Sequence, residues 1–161
     1  MFRVFFVFMI FWGGVANAAP FSVDFVVVKK EDRKMFLFNE GILVKTYSIS
    51  MGDNPIGHKT KKGDEKTPEG RYNLTNKNPG SRFYKSIHID YPNKKDRDKA
   101  KAMGVHPGGQ IKIHGLPNDQ IYSSDVYSGI DWTNGCIAIN NSDMDELWAS
   151  VKFNTSIEII P

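Results

Sequence analysis

Short apolar runs separated by tight turns constrain this chain more than any other feature. Ser22 to Lys29 holds Val23, Phe25, Val26, Val27 and Val28. Arg33 to Phe38 follows a polar turn at Lys30–Asp32, and Ile42 to Ser50 follows Asn39-Glu40-Gly41, where Gly41 is available for positive φ. Arg71–Asn76, Phe83–Asp90, Ile111–Gly115, Cys136–Ile139 and Ser156–Ile160 read as further strands. Strands of this length at hairpin spacing suggest an antiparallel β architecture. Only two stretches read as helical. Asn93–Met103 is a charged surface helix stopped at Gly104, its mixed lysines and aspartates forming a solvated face. The second follows Asn140, with Asn141 or Ser142 as cap, acids in its first turn and a core stripe of Met144, Leu147, Trp148 and Val151. The expected fold class is therefore mainly β with two short helices.

The first eighteen residues stand apart. Arg3 precedes the apolar run Val4–Trp12, then Gly13-Gly14 and the small residues Ala16-Asn17-Ala18, the pattern of a secretory signal peptide. The run is well short of the ~20 residues that span a bilayer. Residues 1–18 are read as a signal peptide and 19–161 as one catalytic domain, exported to a periplasm or cell envelope. A net charge of +3 is too mild to argue for nucleic acid. One cysteine cannot form an internal disulfide, so Cys136 stays a free thiol in an oxidising compartment. The four histidines and the cysteine lack metal-ligand spacing, no phosphate-binding glycine loop is present, and no cofactor is expected.

The chemistry is carried by Ile111–Ile139. A strand ends in His114-Gly115, and a polar turn, Asp131-Trp132-Thr133-Asn134-Gly135, leads into Cys136. A thiol with a pKa near 8.5 is only about 3% ionised at pH 7, so a nucleophilic Cys136 needs a base, and His114 is the candidate. Gly135 permits a sharp turn and close backbone approach, with amides near Gly135 and Cys136 facing a developing oxyanion. The plain alternative is a small buried cysteine and a satisfied core histidine. Thr133 reads as a loop hydrogen-bonder. Leu116–Ile130 is polar and aromatic, suited to line a cleft or cover it; its Tyr122 and Tyr127, with Asn134, are the substrate-contact candidates. In the long loop Met51–Gly70, Lys59, Lys61, Lys62 and Lys66 are either a positive rim or, the reading favoured, ordinary solvated lysines. His58 is uninformative, His88 a non-catalytic strand histidine, and His106, before a proline, a rival base well behind His114.

His114-Gly115, a spacer, then Thr133-x-Gly135-Cys136-Ile137 resembles the signature of the L,D-transpeptidase (YkuD) family of peptidoglycan enzymes. Gly52–Lys59, Gly63–Tyr72, Tyr91-Pro92-Asn93 and Pro107–Gly115 resemble the same family in the same order. The resemblance implies a curved sheet or β-sandwich. It also implies acyl transfer through a thioester on Cys136, with a peptidoglycan stem tetrapeptide as donor and an amine of another stem or of an attached envelope lipoprotein as acceptor. Water as acceptor would make the same site an L,D-carboxypeptidase or an amide hydrolase. By analogy with other nucleophile–base pairs a third group should orient the imidazole, and the Gly115 carbonyl is the candidate. Two positions depart from the pattern: Ala138 stands where Arg or Asn is usual, and Asn134 where His is common. The spacer is also long. Ala138 is expected to change specificity. A peptidoglycan-binding protein with a dead site is the competing class, whereas a papain-like protease would place its cysteine before its histidine.

Overall fold

The computed structural model describes residues 21–119, 124–127 and 129–161. The signal-peptide reading, and Tyr122, lie outside the described residues. Strands are β1 (Val23–Lys29), β2 (Lys34–Asn39), β3 (Ile42–Ser48), β4 (Gly70–Asn78), β5 (Ser86–Ile89), β6 (Lys112–His114), β7 (Ile137–Ala138) and β8 (Val151–Ile160). Helix α1 (Lys94–Ala102) precedes β6, a single turn α2 (Ser124–Tyr127) precedes β7, and α3 (Asn141–Ser150) precedes β8. No helix among the described residues is long and apolar enough to cross a membrane.

The strands form one sheet in the order β3-β2-β1-β8-β4-β5-β6-β7. The β2–β3 hairpin turns through Glu40 and Gly41, both at positive φ (51° and 77°), the handedness that matches strand twist. The expected antiparallel pairing holds for five of the seven strand pairs, while β1 pairs with β8, and β6 with β7, in parallel. Hairpin spacing reports only on consecutive strands. The chain's last strand instead returns to insert between β1 and β4, a long-range arrangement that pairs both edges of β8. The sheet curls until its ends approach. Ser50, just past β3, exchanges two backbone hydrogen bonds with Ala138 of β7 (2.9 and 2.8 Å).

Alternation follows the pairing. Val26 and Val28 of β1 and Met35 and Leu37 of β2 are fully buried while their neighbours are more exposed, and Ile113 and Ile137 of β6 and β7 are fully buried beside the buried His114 and Ala138. Met144 and Leu147 of α3 close the core and Trp148 packs at its edge. The cap of α3 is Asn140 and makes no side-chain bond; Asn141 instead accepts the Leu116 amide (2.9 Å). Helix α1 starts with a reciprocal capping box between Asn93 and Asp96.

Two polar networks shape the long loop before β4. Lys59 is 3% exposed and bonds Asp64 at 2.7 Å, which corrects the solvated-lysine reading for that residue. Burial opposes the charge of Asp64, but Lys59 and the amides of Thr60, Lys61 and Lys66 outweigh it and hold the carboxyl at about 2. Behind it, buried Lys30 bonds Glu69 (2.7 Å), and His58 spans from the Glu69 amide to Asp96. Those partners give His58 a structural role.

Leu147→Ala is expected to cost about 2–5 kcal/mol in urea unfolding, because the side chain is fully buried. Phe153→Ala, at a side chain 72% exposed, should stay within roughly 0.5 kcal/mol of the parent.

Candidate active site

The sheet itself brings the thiol and imidazole together. His114 of β6 pairs with Ser86 of β5 on one side and Ala138 of β7 on the other. Lys112 lies two residues back on β6, on the same face. Ile137 is in register with Ile113, so Cys136, one residue earlier, falls alongside Lys112. With Ile113 and Ile137 committed to the core, His114 and Cys136 become diagonal neighbours on the opposite face. Both line a cavity of about 300 Å³ with Asn78, Ser81, Arg82, Phe83, Ser86, Gln110 and Lys112.

The imidazole is held tightly. His114 Nδ1 lies 2.7 Å from the Gly115 carbonyl. A carbonyl only accepts, so Nδ1 carries the hydrogen and Nε2 is the basic nitrogen. The structure thus puts the Gly115 carbonyl where the sequence reading sought an orienting group. Gly115 itself has no room for a side chain: a Cβ would sit 2.5 Å from Asn141 Oδ1 and 2.8 Å from Tyr84 Cβ. Phe83 packs against the His114 ring (centroids 4.6 Å apart) and Trp132 meets its edge at 5.7 Å. Burial in this aromatic setting pushes the imidazole down to about 4, against the opposing effect of the Gly115 carbonyl; the Lys112 charge pushes the same way as burial.

Burial likewise pushes the Cys136 thiol up, although the Lys112 amide and the Lys112 and Lys59 charges favour the thiolate. Its Sγ lies 3.6 Å from the Gln110 carbonyl. Gln110 holds φ 60°, an uncommon conformation for a side-chain-bearing residue, which aims that carbonyl at the sulfur. At neutral pH the pair is therefore a neutral thiol beside a neutral imidazole.

The turn before Cys136 is over-determined. Thr133 Oγ1 donates to the Cys136 carbonyl (2.7 Å) and accepts the Gly135 amide (3.1 Å). Thr133 is the loop hydrogen-bonder expected. The Gly135 amide is engaged inside the turn by Thr133 Oγ1. What Gly135 contributes is conformation: φ is 116°, and a Cβ would lie 2.5 Å from the Lys66 carbonyl. Asp131 anchors the turn's start through the Met51 amide and Arg33.

The substrate-contact candidates separate. Asn134 is exposed and lines a neighbouring cavity of about 590 Å³ with Lys62, His106 and Gly108, joined to the thiol cavity through Gln110. Tyr127 does not line the thiol cavity; its ring meets Trp132 at 5.4 Å, and its carbonyl accepts from Ser50. Ala138 is 2% exposed and bound at both backbone atoms to Ser50. His106 accepts the Gly108 amide and His88 contacts Thr75, neither lining the thiol cavity. Sequence reasoning missed Phe83, Trp132, Gln110, Lys112 and Arg82. Gln110, Lys112 and Trp132 lay inside the motif stretches, and neither spacing nor periodicity marks a ring against a histidine or a cation in a cavity. Among the described residues no three metal-ligating side chains form a cluster.

A curled, mainly β domain presenting a thiol and an oriented imidazole in one cavity is the class of protein that fold and site define. The profile of the YkuD L,D-transpeptidase catalytic domain matches residues 23–159, and the chain belongs to that family. It is 32% identical over 136 residues to "Putative L,D-transpeptidase YafK" of Escherichia coli (strain K12), covering 81% of this chain and 48% of that protein. Among solved structures it is similar to the helical cell shape determining protein Pgp2 of Campylobacter jejuni (TM-score 0.64, 28% identity, 85% of this chain and 47% of that one). The fold is also that of Bdellovibrio bacteriovorus Bd1075 (TM-score 0.61, 24% identity, 89% of this chain and 50% of that one). The chain spans about half the length of these relatives.

An unfolded chain's imidazole takes its proton near pH 6.5, the folded His114 only near 4. Between those values the unfolded state binds more protons, so this contribution is complete above about 6.5 and is lost as pH falls towards 4, up to about 3 kcal/mol in all. NMR should find the His114 ring still neutral at pH 5, and urea unfolding of His114→Gln should lack this part of the acid dependence. A ring titrating near 6.5 would remove the basis for both expectations.

Proposed function

We propose that this protein is a peptidoglycan cysteine acyltransferase that acts on stem tetrapeptides through a thioester. The observation that carries the reading is the 2.7 Å contact of His114 Nδ1 with the Gly115 carbonyl. It leaves Nε2 as a base on the face that Cys136 shares. As Cys136 Sγ attacks the peptide carbonyl, its proton passes to His114 Nε2, and the Cys136 amide stabilises the oxyanion. His114 then protonates the departing amine, leaving the acyl group on sulfur. An incoming amine gives its proton to His114 and takes the acyl group, and His114 returns that proton to the departing Sγ, closing the cycle. Because both groups start neutral, no separated charge has to be held in a buried site before substrate arrives. Phe83 and Trp132 keep the ring in one orientation throughout. An amine of a second stem, or of an envelope lipoprotein, is the proposed acceptor. The site is placed outside the cytoplasm, with residues 1–18 serving export.

The test is incubation with disaccharide-tetrapeptide muropeptides and resolution of the products by mass. Cross-linked dimers that have lost D-alanine, absent with Cys136→Ala, are expected. His114→Ala should lower the rate by roughly 10³-fold or more. Tripeptide without dimers would transfer the same site to carboxypeptidase chemistry. No product in either sample would remove the transpeptidase reading and leave release of protein from peptidoglycan, or binding alone.

A further inference from the structure

Among the described residues, the lining of the thiol cavity carries positive charge and no acid. Two of its lining side chains, Lys112 and Arg82, are cationic, and no Asp or Glu lines it. A second cavity of about 300 Å³ continues past Lys112 along His88, Asn76 and Asn78, again without an acid. Several placed cations elsewhere have acid partners, Lys30 with Glu69, Lys59 with Asp64, Arg33 with Asp131 and Lys85 with Asp145, while Lys77 is held by the carbonyls of Trp148 and Val151. Among the described residues, Lys112 and Arg82 have no such side-chain partner.

Arg82 is exposed, but Lys112 is not a loose surface charge: it is half-buried on β6, between His88 of β5 and Cys136. Its charge reaches His88, His114 and Cys136 alike. Arg82 is on the loop before β5, at the other wall. That loop is tied down by Asn118, which donates to the Arg82 and Ser81 carbonyls (both 3.0 Å) and accepts the Tyr84 amide at 2.8 Å. Holding a half-buried ammonium without a counter-ion costs free energy, which an anionic ligand would recover. Asn78 and Ser86 add neutral hydrogen-bonding groups between the two cations.

We infer that Lys112 and Arg82 form a carboxylate-binding subsite that seats the acyl donor, and that Lys112 sets its specificity. The inference rests on the acyl-transfer reading for the identity of the donor, but its physical content is recognition of a carboxylate beside Cys136. On a stem peptide that carboxylate has two sources: the C-terminus of the leaving residue, and the side-chain carboxylate of the diamino acid whose carbonyl is attacked. A carboxylate held next to Lys112 fixes the attacked carbonyl over Sγ, so Lys112 is a specificity-determining residue and takes no proton in the reaction.

The test compares the tetrapeptide with two versions, each amidated at one of those carboxylates, on the full protein and on Lys112→Met, Lys112→Arg and Arg82→Met. Methionine keeps most of the apolar stem and removes the charge. Amidating one carboxylate should lower kcat/KM of the parent roughly 10- to 100-fold, mainly through KM. Lys112→Met should lose a similar factor on the unmodified peptide and nothing further on that amide, and Lys112→Arg should recover much of it. Which amide shows this coupling names the source. Equal turnover of all three peptides by the parent would overturn the inference, as would an amide penalty that persists in full in both Met variants. Calorimetric titration of Cys136→Ala with the same peptides separates the two claims. If the parent turns over none of them, the acyl-transfer reading fails, while tighter binding of the free carboxylate, lost in Cys136→Ala/Lys112→Met, upholds the subsite. Equal binding of acid and amide overturns it.

Discussion

The parallel contact between β6 and β7 is the joint on which the site depends. It comprises only two register pairs, Ile113 with Ile137 and His114 with Ala138. Too short to persist alone, it is held from both sides: Ile113 and Ile137 are fully buried, and the Ser50 backbone clasps Ala138 from the far end of the curled sheet. A slip of one residue would send Cys136 or His114 into the core, because successive side chains point to opposite faces. The hydrophobic demand of two isoleucines therefore sets the relation of thiol to imidazole.

Around that joint, the structure spends rigidity on the approach to the sulfur. Thr133 and Gly135 close the turn before Cys136, and Gln110 is held at positive φ with its carbonyl towards Sγ. Gly52 and Gly135 let the backbones of the 51–70 loop and the cysteine turn come into contact; a Cβ on Gly52 would lie 2.0 Å from the Glu65 carbonyl. The buried Lys59–Asp64 pair then organises that loop from within. The result is a pre-shaped cavity whose two titrating partners are both discharged by burial, a state suited to passing a proton only when a substrate arrives.

Much of this was legible in the residues. The strands at 23–29, 34–39 and 42–48, the turn at Glu40-Gly41, and the helices after Asn93 and Asn140 follow from local pattern, since periodicity and turn chemistry act over a few residues. The Cys136–His114 pairing and the Gly115 carbonyl as neighbour of the imidazole were also readable, the former from a short motif and the latter from adjacency in the chain. Tyr127 was read as a substrate-contact candidate on a loop that lines the cleft or covers it, and its ring stands against Trp132. Composition marks an aromatic loop residue as adaptable, not where its ring will settle.

The sequence by itself determined which segments are strands, which residues can do chemistry, and where the backbone must be glycine, because each of these is decided by groups close together in the chain. The tertiary structure alone decided that β8 enters between β1 and β4, that Phe83 and Trp132 clasp the histidine, and that Lys112 stands beside the thiol. Those outcomes join residues tens of positions apart, and they are settled by how the curled sheet buries its apolar face, an energy summed over the whole core that no local window contains.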